Sequence, residues 1–272
     1  MDPGIVSLLC DPVTHTPVQL DPESDSLISA YTGRRYPLRN GIPVFLAPID
    51  VTGPNRKYQT MYDRFAPGYD LVERIYYWFS RKPTFRLEFL KELEIGPGAQ
   101  ILEVSVGTGA NLSALSAREH AGDIRFFGLD LSWEMLRRCQ LNSRRWPHIA
   151  HLSQGQAERL PYRDATFDCV FHAGGINFFS GKAAAIHEMI RVAKPGTKIV
   201  IVDETDKAIR DNHQKNPFAR SYFAKGMESV TCPIDLVPQE MEEIEAHPIA
   251  NGKLYCLTFR KPRRALASSG QP

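Results

Sequence analysis

The sequence predicts an α/β protein: a doubly wound, mostly parallel sheet with a small β-rich module in front of it. Three observations carry this prediction. From residue 99 onward, short apolar runs alternate with amphipathic stretches, as strands alternate with crossover helices. The stretch "ILEVSVGTGANL", residues 101 to 112, joins an apolar run to a helical pattern through a turn holding two glycines. Residues 1 to 50 differ in composition, with frequent prolines and short apolar runs set between turn signals.

In order along the chain, the first unit contains "LLCDPVTHTPVQL", "SLISAYTGRRYPL" and "NGIPVFLAP", and its Asn40-Gly41 is a strong hairpin dipeptide. "VTGPNRKYQ" reads as a linker, and residues 51 to 96 as a helical lid or linker region. Within it, "YQTMYDRFAPGYDLVERIYYWFSRK" places aromatics at about helical spacing, broken at Pro67-Gly68, and "PTFRLEFLKEL" follows with Pro83 suited to a helix start. Residues 97 to 262 form the main domain. There "AQILEVSV" reads as a strand, "ANLSALSARE" as a helix and "RFFGLDL" as a strand. "SWEMLRRCQLNSRR" is a helix with a Ser cap and Glu134 in its first turn. "IAHLSQG" and "FDCVFHA" are strands, "GKAAAIHEMIRVA" is a helix that stops before Pro195-Gly196, and "TKIVIVDE" is a strand. "KLYCLTFRKP" is expected to close the sheet as an antiparallel edge strand, and residues 263 to 272 to be a frayed, solvated tail.

The 272 residues suffice for a sizeable core, and the formal net charge of +2 argues against a nucleic-acid partner. Five cysteines, none close to another in sequence, argue against a disulfide framework and fit a reducing compartment. "MDPGIVSLLCDP" lacks a basic segment followed by a long apolar one, and no apolar run approaches the roughly 20 residues that span a bilayer. The expectation is a soluble, cytoplasmic protein; the sequence leaves a homodimer open. The histidines form no metal-ligand spacing, so no metal is expected.

In doubly wound sheets ligands bind at the carboxyl ends of the strands. Gly107 and Gly109 let the backbone turn sharply and approach a ligand without Cβ contact. About twenty residues on, Asp130 ends the next strand, where an acid accepts hydrogen bonds from both hydroxyls of a ribose. The pair indicates an adenosine-containing cofactor. A dinucleotide site wants G-x-G-x-x-G, but here the series is Ser105-x-Gly107-x-Gly109 with no third glycine opening the helix. Glu103 at the strand end would repel a pyrophosphate and suits a cationic ligand, such as the ammonium of a methionine moiety. S-adenosylmethionine is therefore favoured over NAD.

On these residues, the region 97 to 204 resembles the class I, Rossmann-like S-adenosylmethionine-dependent methyltransferases. "LEVSVGTG" resembles their first motif, with Ser105 where the family usually has Gly. "GLDLSWEML" resembles their second strand and its acid, which implies cofactor contacts at Asp130 and Leu131. "GQAERLPYRDATFDCVF" resembles the adenine-side motif and fourth strand, and "RVAKPGTKIVIVDE" the fifth-strand segment. The resemblance implies that Gln156, Ala157 and Glu158 read the adenine edge. Upstream, "YDRFAPGYDLVERI" is similar to the helix before the first motif in quinone-biosynthesis C-methyltransferases, which implies a cover over the cofactor with Tyr62 and Tyr69 facing the site. More loosely, the first 46 residues resemble a zinc-ribbon-like module found with some RNA methyltransferases. The zinc-ligating Cys-x-x-Cys pairs are absent, so a module held by packing alone is expected.

His172, in "FHAGGINFF", follows the fourth strand at the mouth where substrate and methyl group would meet, and could serve as cofactor contact or general base. Tyr69 and Asp203 are the other candidate bases, and Tyr69, Asn177 and Phe178 the candidates for the acceptor pocket. The expected function is methyl transfer from S-adenosylmethionine to carbon or oxygen of a small, apolar or aromatic molecule. The alternatives are RNA methylation, which the near-neutral charge opposes, and a protein that binds the same cofactor without transferring methyl.

Overall fold

The structure, a computed structural model, describes residues 1–46, 51, 53–64, 66, 85–117, 124–146, 148, 150–215 and 231–263. The chain opens with one helical turn, α1 (Pro3–Val6), capped by the side chain of Asp2, which accepts from the Gly4 N–H. Four short strands follow: β1 (Val18–Leu20), β2 (Ser26–Ser29), β3 (Arg35–Arg39) and β4 (Ile42–Pro43), hydrogen-bonded in that order as an antiparallel sheet. Asn40 and Gly41 connect β3 to β4 with φ of 52° and 76°, both in the left-handed region that a tight hairpin demands. Buried Asp11 staples the module by accepting from the N–H groups of Val13 and Thr14 and from Thr32 Oγ1, at 2.8, 3.1 and 3.0 Å.

Residues 53–64 form helix α2. It starts inside the stretch read as a linker, because Gly53-Pro54 supplies a preset φ at the first turn. After α3 (Phe85–Leu90) comes the main sheet: β5 (Gln100–Val104), β6 (Arg125–Asp130), β7 (Ala150–Gln154), β8 (Cys169–Ala173), β9 (Lys198–Glu204), β10 (Glu242–Ile249) and β11 (Leu254–Arg260). Its order is β10-β11-β9-β8-β5-β6-β7. Strands β5 to β9 pair in parallel, and the crossover helices are α4 (Ala110–Ser116), α5 (Trp133–Ser143) and α6 (Lys182–Val192). Ser132 caps α5 as expected, accepting from the Met135 N–H at 3.2 Å. Helix α7 (Asp206–Lys215) follows β9.

One expectation about the sheet is corrected. Strand β11 is antiparallel but lies inside, between β9 and β10, and β10 is the edge. The sequence of β10, "EEIEAHPI", carries three glutamates and is exposed along most of its length, so no apolar run announced it. Charged residues on an edge strand also discourage pairing with other chains.

The opposite edge, β7, is sealed by the N-terminal module. Phe45 N–H donates to Gln154 O at 2.8 Å, and two further backbone bonds, Cys10 N–H to Pro161 O and Arg163 N–H to Leu8 O, knit the module to the loop beyond β7. Leu9, Tyr36 and Phe45 share one apolar cluster with Phe127 of β6 and with Leu160, Tyr162 and Phe167 of the connection between β7 and β8. No helix among the described residues is long and apolar enough to cross a membrane.

Candidate functional site

The carboxyl ends of β5 and β6 lie side by side, next to the point between β5 and β8 where the strand order reverses and where sheets of this kind bind ligands. The backbone leaves β5 through three residues with positive φ: Ser105 at 61°, Gly107 at 55° and Gly109 at 84°. The two glycines serve different purposes. A Cβ on Gly109 would lie 2.6 Å from Trp146 Cη2 and 2.7 Å from Cys139 Sγ, so its bareness is a packing requirement against α5. A Cβ on Gly107 would meet nothing within 4 Å, so that backbone faces open space. Ser105 adopts the left-handed conformation despite its side chain, at a cost of roughly 1–2 kcal/mol.

Asp130 clasps the two loops together. Its Oδ2 accepts from the Gly107 N–H and its Oδ1 from the Ser132 N–H, both at 2.8 Å. Burial pushes its pKa up to about 6, against these backbone hydrogen bonds. A carboxylate offers about four lone-pair sites, so these bonds leave acceptor capacity for a ligand hydroxyl.

Glu103, one strand away, is fully buried. Its Oε1 accepts from Asn111 Nδ2 at 2.6 Å, while Oε2 has no hydrogen-bond partner among the described residues. Burial pushes its pKa up to about 8, against the pull of Asn111 and Arg86. Arg86 on α3 donates from Nε to Asn111 Oδ1 at 2.9 Å. A buried acid with one orphaned oxygen is costly unless a ligand completes it.

Helix α2 lies across the loop after β6. Gln59 donates to the Leu131 carbonyl at 3.1 Å, and Gln154 to the same oxygen at 3.0 Å. Asp63 accepts from Ser132 Oγ at 2.5 Å and from the Glu134 N–H at 3.3 Å. Tyr62, on this helix, is half-buried. Asn55 links α2 to the other side: its amide donates to Glu158 Oε1 at 3.0 Å, and its carbonyl accepts from the Ser180 N–H at 3.1 Å. Glu158 also accepts from the Gly181 N–H at 3.1 Å, so it braces the α2 start rather than facing an open crevice. Gln156 is half-buried and Ala157 buried in the loop after β7.

On the far side, both ring nitrogens of His172 are engaged. Nδ1 lies 2.8 Å from the Val104 carbonyl, and Nε2 accepts from the Ile176 N–H at 2.9 Å. That pairing requires the neutral ring with its proton on Nδ1, and burial depresses the pKa to about 4. No lone pair remains to take a substrate proton, so the general-base role expected for His172 does not fit this geometry. Asp203 holds the turn at Ile176–Phe178: its Oδ2 accepts from the N–H groups of Gly175 and Asn177 at 3.1 and 2.9 Å, and its Oδ1 from the Glu204 N–H at 2.8 Å. Burial, opposed by these bonds, pushes its pKa up to about 6. Asn177 is likewise fixed, donating to the Glu204 carbonyl at 2.9 Å and accepting from Tyr255 Oη at 3.1 Å. Phe178 stacks at 4.7 Å on Tyr58 of α2. Tyr69 lies outside the described residues.

Sequence reasoning thus missed Asn55, Gln59 and Asp63 on α2, the Arg86–Asn111 pair and Tyr255. Each is a polar residue whose role appears only when distant elements meet. The Ser132 cap was the single local signal that pointed toward Asp63.

Comparison with known proteins agrees with this geometry. The family described as "methyltransferase domain" matches residues 102–201. The chain is 30% identical over 169 residues to the demethylmenaquinone methyltransferase of Lactiplantibacillus plantarum, covering 61% of this chain and 69% of that protein. It is 29% identical over 155 residues to the ubiquinone/menaquinone biosynthesis C-methyltransferase UbiE of Geotalea daltonii, covering 56% of this chain and 65% of that one. The match thus spans about two thirds of these curated relatives' length. In fold, the chain is similar to an S-adenosylmethionine-dependent methyltransferase of Thermotoga maritima, with a TM-score of 0.55 at 20% identity over 75% of this chain and 99% of that one.

Proposed function

The chain belongs to the class I S-adenosylmethionine-dependent methyltransferases, and from that premise we propose that it transfers a methyl group from S-adenosylmethionine to carbon of a small, quinone-like aromatic acceptor in the cytoplasm. The observation that carries the reading is the orphaned Glu103 Oε2, buried beside the loop that Gly107 and Asp130 hold open. The residues present fit the cofactor. Glu103 would hold the ammonium, the Gly107 backbone would allow close approach, and Asp130 would take the ribose hydroxyls. Gln156 and the Ala157 backbone would read the adenine edge, with Leu131 and Tyr62 beside them.

When bound, the cofactor supplies a methyl carbon activated by its sulfonium, so the protein needs no nucleophile of its own. Its residues bind, orient and exclude water. Helix α2 closes one side through Gln59, Asp63 and Asn55. The turn at Ile176–Phe178, held by Asp203 and His172, presents Phe178 with Tyr58 as an apolar wall for the acceptor. In this proposal Asp203 and His172 shape the chamber, and Tyr69 is the candidate to face the acceptor and take its proton. The relatives' substrates guide the choice of ring: a demethylmenaquinone is an electron-rich aromatic in its reduced form, able to attack the methyl carbon directly.

The test is transfer of labelled methyl to a reduced demethylmenaquinone, with S-adenosylhomocysteine formed in equal amount. Cofactor binding without transfer to any quinol or phenol would refute the reading. Label appearing in RNA, with affinity falling steeply as salt rises, would replace it with the nucleic-acid alternative.

A further inference from the structure

Arg86 lies outside the glycine-loop and strand-end motifs, on α3, yet it reaches the site through one intermediary. Its Nε donates to Asn111 Oδ1 at 2.9 Å, and Asn111 Nδ2 donates to Glu103 Oε1 at 2.6 Å. A guanidinium has donors only, so it dictates which end of the Asn111 amide faces it. The carbonyl must turn to Arg86, and the NH2 must then turn to Glu103. Oε1 is thereby committed as an acceptor, and Oε2, which has no partner among the described residues, is the one left to carry a proton or meet a ligand.

The elements make this relay rigid. Phe89 and Leu90 anchor α3 with no exposed surface, Asn111 lies in the first turn of α4, and Glu103 is fully buried in β5. Without the relay, the Asn111 amide could rotate and present its carbonyl to the acid, repelling the ionised form.

We propose that Arg86 is a positioning residue for the amino-acid end of the cofactor: acting through Asn111, it orients Glu103 so that Oε2 is presented to the ligand's ammonium. The inference rests on the cofactor reading above and adds to it a residue that touches neither cofactor nor substrate. It predicts a specific signature, because only the amino-acid end of the ligand depends on the relay. The adenosine end depends on Asp130.

The experiment compares two probes by calorimetry: S-adenosylhomocysteine, and 5′-methylthioadenosine, which keeps the adenosine and thioether but lacks the amino acid. Wild-type protein should prefer S-adenosylhomocysteine. Arg86→Met should weaken S-adenosylhomocysteine about 10-fold or more while leaving methylthioadenosine unchanged, the scale expected when a hydrogen bond to a charged group is lost. Arg86→Lys, again a donor-only cation, should recover part of the loss. Asn111→Asp is the same size and still accepts from Arg86 but cannot donate to Glu103, so it should reproduce the selective loss without a cavity. Equal weakening of both probes, or no weakening of either, overturns the relay while leaving the cofactor assignment intact. A wild-type protein that binds neither probe overturns both.

Discussion

Gly109 and Gly107 both have positive φ, and replacing each by Ala separates packing from ligand approach. At Gly109 two costs add. A non-glycine residue in the left-handed region loses roughly 1–2 kcal/mol. The new methyl must also displace the Trp146 ring and the Cys139 sulfur from 2.6 and 2.7 Å, which is overpacking and costs roughly 1–3 kcal/mol. Gly109→Ala should therefore lose about 2–5 kcal/mol, lowering the melting midpoint by roughly 4–20 °C. Gly107→Ala meets no atom within 4 Å and bears only the conformational cost. On the proposed reading its methyl would enter the space the cofactor needs, so affinity for S-adenosylhomocysteine should fall while the midpoint drops by only roughly 2–8 °C. Thermal denaturation and calorimetry on the two variants read both quantities. Trimming Trp146 to Leu in the Gly109→Ala background should return part of the stability, because that ring is one of the two sources of the clash. If the two variants melt together, or if Gly109→Ala melts with wild type, the division of roles between the glycines is wrong.

Asp130→Ala should weaken S-adenosylmethionine binding by roughly 1.5–3 kcal/mol; unchanged affinity in a folded variant would remove Asp130 from the site. Ser105→Gly should stabilise the protein by about 1 kcal/mol, since it relieves the left-handed Ser at φ of 61°; a lower urea midpoint would contradict this. Phe45→Ala should cost about 3–5 kcal/mol, and denaturation should stay a single transition because module and sheet share one apolar cluster; two separated transitions would show otherwise. With the Glu103 pKa raised to about 8, the free protein holds that proton at neutral pH, and a bound ammonium favours its loss. Cofactor affinity should then rise with pH toward about 8, with a proton released on binding that calorimetry in buffers of different ionisation enthalpy can count; a pH-independent affinity would refute it. The same raised pKa contributes stability below the carboxyl's ordinary range that is lost as pH climbs toward about 8.

The strands and helices from residue 99 to 204 were legible because each carries its own signal: apolar runs for β5, β6, β8 and β9, a cap at Ser132, a stop before Pro195-Gly196. The two buried acids near the strand ends, Glu103 and Asp130, stood out for the same reason, since each directly follows an apolar residue. Strand β10 was hidden because an exposed edge strand needs no apolar face. The roles of His172 and Asp203 were hidden for a different reason. Sequence gives the residue type at the strand end but not whether backbone N–H groups already occupy it, and here the turn at Ile176–Phe178 takes three such bonds from these two side chains. The α2 contacts were invisible because Asn55 and Gln59 fall in a stretch read as a linker and Asp63 just beyond it, and their partners lie 69 to 125 residues away.

Three local rules fail within five residues of the chain. Glu103 is buried and half-satisfied, Ser105 sits in a conformation that suits glycine, and Gly107 leaves open space where a side chain could fill a void. Elsewhere the same loop is over-determined: Asp130 fixes the Gly107 N–H, Val106 N–H bonds the Leu129 carbonyl, and Gly109 is wedged under Trp146. Stability lost at the first set is offset by the second, which is the pattern expected where a site is held ready for a ligand. The N-terminal module extends that logic. By bonding Gln154 on one side and Pro161 and Arg163 on the other, it fixes both ends of the loop that carries Gln156 and Ala157. On the proposed reading, the adenine side of the site would thus be held from outside the sheet, and its methionine side from within by Glu103, Asn111 and Arg86.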